Sequence, residues 1–209
     1  MTSLLVGIAG GSGSGKTTLA EGLVTTLPPG QAVVIPHDAY YRDLGHLAFE
    51  QRAQCNFDEP AALDNERLLE DLAQLRAGRT IARPNYDFAT HTRLRETTRV
   101  PACPVVIVEG ILVLAIPALR GLLDLKVFVE TSEQTRLARR IERDMAERGR
   151  TREASEAQYF RRTRPMHSLH VEPSRCHAEL VVSGEDIGGQ SVESVTIAIH
   201  RLLKLGMRP

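Results

Sequence analysis

The apolar run Leu4-Leu5-Val6-Gly7-Ile8-Ala9 leads straight into Gly10-Gly11-Ser12-Gly13-Ser14-Gly15-Lys16-Thr17. No other stretch restricts the fold so much. The octapeptide has the spacing G-x-x-x-x-G-K-[S/T], and the chemistry asks for those residue types. Glycines let consecutive backbone N–H groups turn inward around phosphate oxygens, and a helix beginning at the end of the loop adds the positive end of its dipole. Lys16 can then reach the β- and γ-phosphates and the Thr17 hydroxyl can ligate magnesium, with Thr18 beside it in the first helical turn. Such a loop works between a buried strand and a helix. The order here, strand then loop then a helical pattern at 15–26, predicts a chain that binds a nucleoside triphosphate.

Four more continuous apolar runs, at 32–36, 105–108, 125–129 and 180–182, are spaced too widely for hairpins and widely enough for crossover helices. Runs of Val, Ile and Leu without alternation suit strands covered on both faces. The expected fold is therefore α/β, a P-loop NTPase-type parallel sheet with helices on both faces. Asp64 is a candidate N-cap for a helix carrying Leu68, Leu69, Leu72 and Leu75, closed by Gly78. Thr131 with Gln134 has the capping-box pattern for a helix over about 132–148, and 153–164 and 191–204 read as two more. Residues 79–100 are rich in Thr and Arg and alternate at 95–100, which predicts a β-hairpin inserted on the ligand edge of the sheet. The whole chain, 1–209, reads as one domain with that insertion.

Two acids fall where strands should end, Asp38 after 32–36 and Glu109 after 105–108. Ligands of open α/β sheets gather beyond the carboxyl ends of the strands, so both should converge on the glycine loop, as candidates for base and magnesium chemistry. The 26 basic residues balance 26 acids, which argues against a dedicated nucleic-acid binder. The balance conceals an asymmetry: nine acids against three arginines over 38–71, and ten arginines against six acids over 131–165. Those blocks either serve metal and phosphate or are two solvated faces. No apolar run approaches the roughly 20 residues of a membrane span. The N-terminal run has no basic leader or cleavage site, so the cytoplasm is expected. Cys55, Cys103 and Cys176 are odd in number and widely spaced, the pattern of reduced structural thiols.

On the helix near 132, Leu137, Ile141 and Met145 share one arc, while Arg136, Arg139, Arg140 and Arg143 share a roughly opposite one. The apolar stripe should pack on the core and the arginines face the cleft or solvent. Arg148-Gly149-Arg150 then reads as a loop, part of an arginine-bearing lid over about 140–164 that swings over phosphates and excludes water.

These blocks together resemble the uridine (uridine–cytidine) kinase family of P-loop phosphotransferases, akin to phosphoribulokinase. The resemblance runs from about residue 5 to 186 and rests on the glycine loop, Asp38-Ala39-Tyr40-Tyr41-Arg42-Asp43, Asn56-Phe57-Asp58-Glu59-Pro60, the 84–91 segment ending in Tyr86-Asp87-Phe88-Ala89-Thr90-His91, and Val108-Glu109-Gly110-Ile111-Leu112. It continues through Arg139-Arg140, Arg143-Asp144, Glu147-Arg148-Gly149-Arg150, Gln158-Tyr159 and Arg164-Pro165-Met166-His167 to Glu172-Pro173. It implies transfer of the γ-phosphate of ATP or GTP, with magnesium, to the 5′-hydroxyl of uridine or cytidine. By the same resemblance Asp38 is the catalytic base, assisted by Lys16, and Glu109, Thr17 and Asp38 form the magnesium site. Asp58 grips the ribose hydroxyls; Tyr86, Phe88 and His91 surround the pyrimidine, and Arg140 and Gln158 face the nucleoside. Arg143, Arg148 and Arg150 belong to the triphosphate site and its lid. A homotetramer with feedback by pyrimidine triphosphates is likewise implied.

A carboxylate can accept from the 2′- and 3′-hydroxyls together, and Tyr86 and Phe88, one residue apart on an extended segment, share a face and could flank a base. His91, a donor at one ring nitrogen and an acceptor at the other, could meet uracil O4 or cytosine N4. His37 stands where the family more often carries another polar residue, and could tune Asp38, contact phosphate, or be incidental. A kinase of another small alcohol, a sugar phosphate or a pantothenate-like substrate, is the second enzymatic reading. A nucleotide-driven switch or an arginine-based RNA-binding module is the non-enzymatic one.

Overall fold

Strand β1 (Leu4–Gly10) sends Leu5 and Ala9 to one face and Val6 and Ile8 to the other, all fully buried, so it needs a helical layer on each side. The computed structural model describes residues 3–186 and 189–206, the side chains of 147, 148 and 206 excepted, and it supplies both layers. β1 is central in a five-stranded parallel sheet ordered β2 (Ala32–Pro36), β5 (Val105–Glu109), β1, β6 (Leu125–Glu130) and β7 (Leu180–Ser183). On one face, α3 (Asn65–Arg76) and α4 (Pro117–Leu122) pack Leu68, Leu72, Leu75 and Leu119 against Leu5, Val106 and Phe128. On the other, α1 (Lys16–Thr26) and α9 (Gln190–Gly206) pack Leu19, Leu23, Val195 and Ile199 against Val6, Ile107 and Val127. The α/β parallel sheet expected from the apolar runs is the fold observed.

Register brings the site together. Glu109 pairs with Ile8 of β1 and with Pro36 of β2, so the glycine loop, Glu109 and the residues just after β2 leave the sheet at one edge. Asp38 follows two residues later in a 3-10 turn, His37–Tyr40. The predicted insertion is a separate antiparallel hairpin, β3 (Ile81–Asp87) with β4 (Thr92–Val100), which pairs Tyr86 with Arg93 across a bulge near Pro84. A short helix, α2 (Phe49–Gln54), without a clear periodic signal, lies between the turn and α3.

Asp64 caps α3 as expected, accepting from Arg67 N at 3.4 Å, and Gly78 beyond its end takes a left-handed φ of 78°. The other predicted cap is displaced by one residue. Helix α5 (Glu133–Arg148) is capped by Ser132, whose hydroxyl oxygen accepts from Thr135 N at 3.2 Å. Thr131 instead donates to the Ser14 carbonyl at 2.9 Å and ties the entry of α5 to the glycine loop.

The packing stripe of α5 also differs from the apolar arc. Ile141 is buried, but Leu137 is half-buried and Met145 is 48% exposed. The buried row is polar: Arg136, Arg140 and Asp144 are 6%, 5% and 0% exposed. The reason is the neighbour, because this face of α5 lies on the glycine loop and not on the sheet. The helix expected at 153–164 is α only over α6 (Arg152–Gln158). It runs on through a π turn, Tyr159–Thr163, a short α7 (Arg164–Met166), a second π turn, His167–Val171, and α8 (Glu172–Ser174). Pro165 and Pro173 lack N–H groups, so a regular ladder cannot continue through them. Among the described residues no helix is long and apolar enough to cross a membrane.

Candidate active site

Beyond the carboxyl ends of the strands lies an open cleft. Ser12, Lys16, Thr17, Asp38 and Glu109 line one end, and Asp58, Tyr86, Phe88 and His91 the other. Arg140, Arg143, Arg150 and Gln158 line the side between them. Every residue singled out in the sequence whose side chain was expected to meet substrate or donor is on this wall, save Arg148, whose side chain lies outside the described residues. Gly10, Gly11, Gly13, Ser14, Gly15 and Thr18 form the loop and the first turn of α1 behind it.

The loop end is a compact charge cluster. Lys16 Nζ donates to the Gly11 carbonyl at 2.9 Å, and Thr17 Oγ1 donates to Glu109 Oε1 at 3.4 Å. Burial lowers the Lys16 pKa, opposed by the charges of Glu109 and Asp38, and burial raises that of Glu109, opposed by Lys16. Each charge favours the other, and a bound anion would add to the support of the Lys16 ammonium, as a bound cation would to that of the Glu109 carboxylate. Among the described residues no group of three His, Cys, Asp or Glu side chains is arranged to hold a metal by itself. A hydroxyl and two carboxylates beside a phosphate cradle are nonetheless the hard oxygen donors that suit magnesium, which keeps waters and takes phosphate oxygens as further ligands. The residues fit that ion.

The arginine side is held by two polar hubs. Ser12 Oγ accepts from Arg140 (2.9 Å) and Arg143 (3.2 Å), and Gln158 Oε1 accepts from Arg140 (3.2 Å) and Arg150 (2.5 Å). Fully buried Asp144 pairs with Arg150 at 3.3 Å and Arg140 at 3.6 Å, so one carboxylate aligns two guanidinium groups. Gly149 ends α5 at φ 61°, which turns Arg150 back toward this hub. The four arginines of the predicted arc divide their work. Arg140 and Arg143 reach the cleft, and Arg139 donates to the Gly184 carbonyl at 2.8 Å. Arg136 lies against the glycine loop: a Cβ at Gly11 would meet its guanidinium, and one at Gly13 its backbone carbonyl. Those two glycines thus also serve the close approach of α5.

At the far end, rings touch one another. Tyr86 and Phe88 are 5.4 Å apart edge to face, too close for a planar group between them, so they cannot flank a base from two sides as expected. They form one wall with Tyr41, whose ring is 5.1 Å from that of Tyr86. His91, at a positive φ of 55°, stacks on Phe57 at 4.8 Å and 15°. Tyr41 and Phe57 are residues of the motif blocks to which the sequence assigned no role, and the signal was there in the aromatic content of those blocks. His37 is buried, its pKa lowered by that burial, and bonded through Nε2 to Asn65 Oδ1 at 2.9 Å. It therefore packs under the turn. Cys55 also lines the cleft, and all three cysteines are unbridged.

Arg93 gave no sign of itself in the sequence. From β4 it donates to the carbonyls of Tyr41 (2.9 and 3.2 Å) and Tyr40 (3.3 Å) and pairs with Asp64 at 3.1 Å. It fastens the hairpin that carries Tyr86 and His91 to the turn that carries Asp38.

A profile of the Phosphoribulokinase / Uridine kinase family matches residues 5–186. The chain is 40% identical over 205 residues to the uridine kinase of Clostridium novyi, covering 98% of this chain and 97% of that one. It is 41% identical over 199 residues to the uridine kinase of Chloroflexus aurantiacus, covering 95% and 94%. Among solved structures, a possible uridine kinase from Bacillus stearothermophilus superposes with a TM-score of 0.62 at 21% identity, over 87% of this chain and 89% of that one. The D-glycerate 3-kinase of Cryptococcus neoformans gives 0.60 at 17%, over 88% and 87%. At those identities the structures speak for the fold alone.

Proposed function

The chain belongs to the Phosphoribulokinase / Uridine kinase family, and from that premise we propose that it is a nucleoside kinase. It moves the γ-phosphate of ATP or GTP to the 5′-hydroxyl of uridine and cytidine. The observation that carries this reading is the single cleft with a phosphate cradle at one end and an acid with aromatic walls at the other. Phosphoryl transfer asks for positioning and charge neutralisation more than covalent help. In the proposal Asp38 accepts the proton of the 5′-hydroxyl as its oxygen bonds to the γ-phosphorus, while the bond from that phosphorus to the bridging oxygen breaks and the nucleoside diphosphate leaves. Lys16, Arg143, Arg148 and Arg150 balance the charge on the phosphates. Thr17, Glu109 and Asp38 would hold magnesium, which when bound neutralises charge on the β- and γ-phosphate oxygens.

Asp58 accepts from the ribose hydroxyls. The pyrimidine lies against the wall of Tyr41, Tyr86 and Phe88, with His91 at its polar edge and Arg140 and Gln158 near the sugar. Closure of the 140–164 region excludes water that would otherwise accept the phosphate. A sugar phosphate would want free basic groups at the acceptor end. Arg162 does line it, but its Nη1 is turned to the carbonyls of Cys55 (3.0 Å) and Ala53 (3.4 Å). The reading extends to pyrimidine salvage in the cytoplasm by a homotetramer, which sedimentation would test. Release of ADP should be measured with uridine, cytidine, 2′-deoxyuridine, sugar phosphates and pantothenate as acceptors. Turnover with uridine and cytidine is expected, and turnover confined to a sugar phosphate or pantothenate would overturn the proposal.

A further inference from the structure

Two consecutive residues of the π turn Tyr159–Thr163 hold the loop that carries Asp58. Arg162 grips the backbone at Ala53 and Cys55, and the Thr163 hydroxyl donates to Asp58 Oδ2 at 2.7 Å across 105 residues of sequence. Thr163 is only 3% exposed, so little water competes for its hydroxyl. The Asp58 backbone N–H is fixed separately, by Asn56 Oδ1 at 3.2 Å. That bond sets the main chain and leaves the carboxylate free to turn about its own side-chain torsions. The Thr163 bond removes that freedom. It fills one acceptor direction on Oδ2 and leaves the remaining lone pairs of a now-oriented carboxylate toward the cleft.

We propose that Thr163 is a positioning residue that sets how strictly the enzyme demands a ribose 2′-hydroxyl, acting through the orientation of Asp58. The inference rests on the reading of Asp58 as the sugar-binding acid. A pair of vicinal hydroxyls can be met together only by a carboxylate held in one plane, so freedom at Asp58 weakens the two-hydroxyl contact more than the one-hydroxyl contact. The π geometry contributes, because one extra residue in the turn shifts each following side chain by about 100° around the helix axis. The turn begins next to Gln158, the acceptor for Arg140 and Arg150, so one element connects the arginine side of the cleft to the sugar acid.

The test compares kcat/KM for uridine with that for 2′-deoxyuridine in wild type, Thr163→Val, Thr163→Ser and Asp58→Asn, with the KM for ATP as the control on the fold. Valine keeps the shape and removes the hydroxyl. The uridine-to-deoxyuridine ratio should fall roughly tenfold in Thr163→Val and stay within about twofold in Thr163→Ser, with the ATP KM unchanged. Thr163→Ala removes the same hydroxyl and gives the same readout if valine prevents folding. A ratio that collapses in Asp58→Asn but is unmoved in Thr163→Val and Thr163→Ala would overturn the inference and leave the role of Asp58 standing. A ratio unmoved in Asp58→Asn would overturn that role, and the inference with it.

Discussion

Replacing Arg93 by methionine keeps much of the side-chain stem and removes the guanidinium that joins the hairpin to the turn that carries Asp38. The two bonds to the Tyr41 carbonyl serve one acceptor and count once, at about 1.5–3 kcal/mol for a charged donor. Tyr40 O keeps a second donor, Asp64 N at 2.8 Å, and so loses little. The pair with Asp64 is partly open to solvent, with the two side chains 16% and 22% exposed, and contributes at most about 1 kcal/mol. The total is about 3 kcal/mol, or roughly 6–12 °C in Tm for a chain of this size. Denaturant unfolding measures the first quantity and calorimetry the second. The functional signature is sharper. Tyr86 and His91 ride on the hairpin, whereas Lys16 and Thr17 do not, so the KM for uridine should rise about tenfold or more while that for ATP stays within about twofold. Arg93→Lys, which keeps the charge but not the fork, should fall between. A stability loss below about 1 kcal/mol, or equal rises in both KM values, would refute the coupling.

Two further outcomes are expected. Gly13 sits at φ 78° and a Cβ there would collide with the Arg136 carbonyl, so Gly13→Ala should weaken ATP binding by roughly tenfold or more in calorimetric titration, and affinity within about twofold of wild type would refute the packing argument. Burial holds the His167 pKa down to about 4, with Arg136 and Lys16 adding to it and Glu133 opposing, against 6.5 in an unfolded chain. Between those values the unfolded chain binds the extra proton, so stability is present above about pH 6.5 and drains away as pH falls toward about 4. His167→Gln should flatten that part of the Tm–pH curve, leaving a residue of the same sign from His37, and an unchanged slope would remove His167 from the effect.

The parallel sheet and its phosphate loop were legible in the sequence because each depends on local chemistry. Unbroken Val and Ile runs, glycines at fixed spacing and an acid at a strand end carry their meaning within ten residues. Helix α5 was legible as a helix but not in its orientation. Period alone cannot tell an apolar stripe on a core from a polar row on a loop, and the buried row proved to be Arg136, Arg140 and Asp144. Ser132 and Thr131 offer the same hydroxyl chemistry, and only the position of Ser14 decides which one caps. Tyr86 and Phe88 do share a wall, yet their rings meet edge to face at 5.4 Å, a contact between side chains that residue spacing does not announce and that rules out a sandwich. Arg93 and Thr163 were hidden for a different reason. Each acts on a partner tens of residues or more away, Tyr41 and Asp58; Arg93 does not stand out among the arginines of its segment, and Thr163 lies between motif blocks with no local pattern to mark it.

In the proposed transfer, Asp38 is the group that takes the proton of the acceptor hydroxyl. Asp38→Asn, studied with uridine and ATP at saturation beside calorimetric titration of uridine, is the direct measurement. Turnover should fall by roughly 10²-fold or more while uridine affinity stays within a few-fold of wild type. Near-normal turnover in that variant would contradict the role of Asp38 as the base.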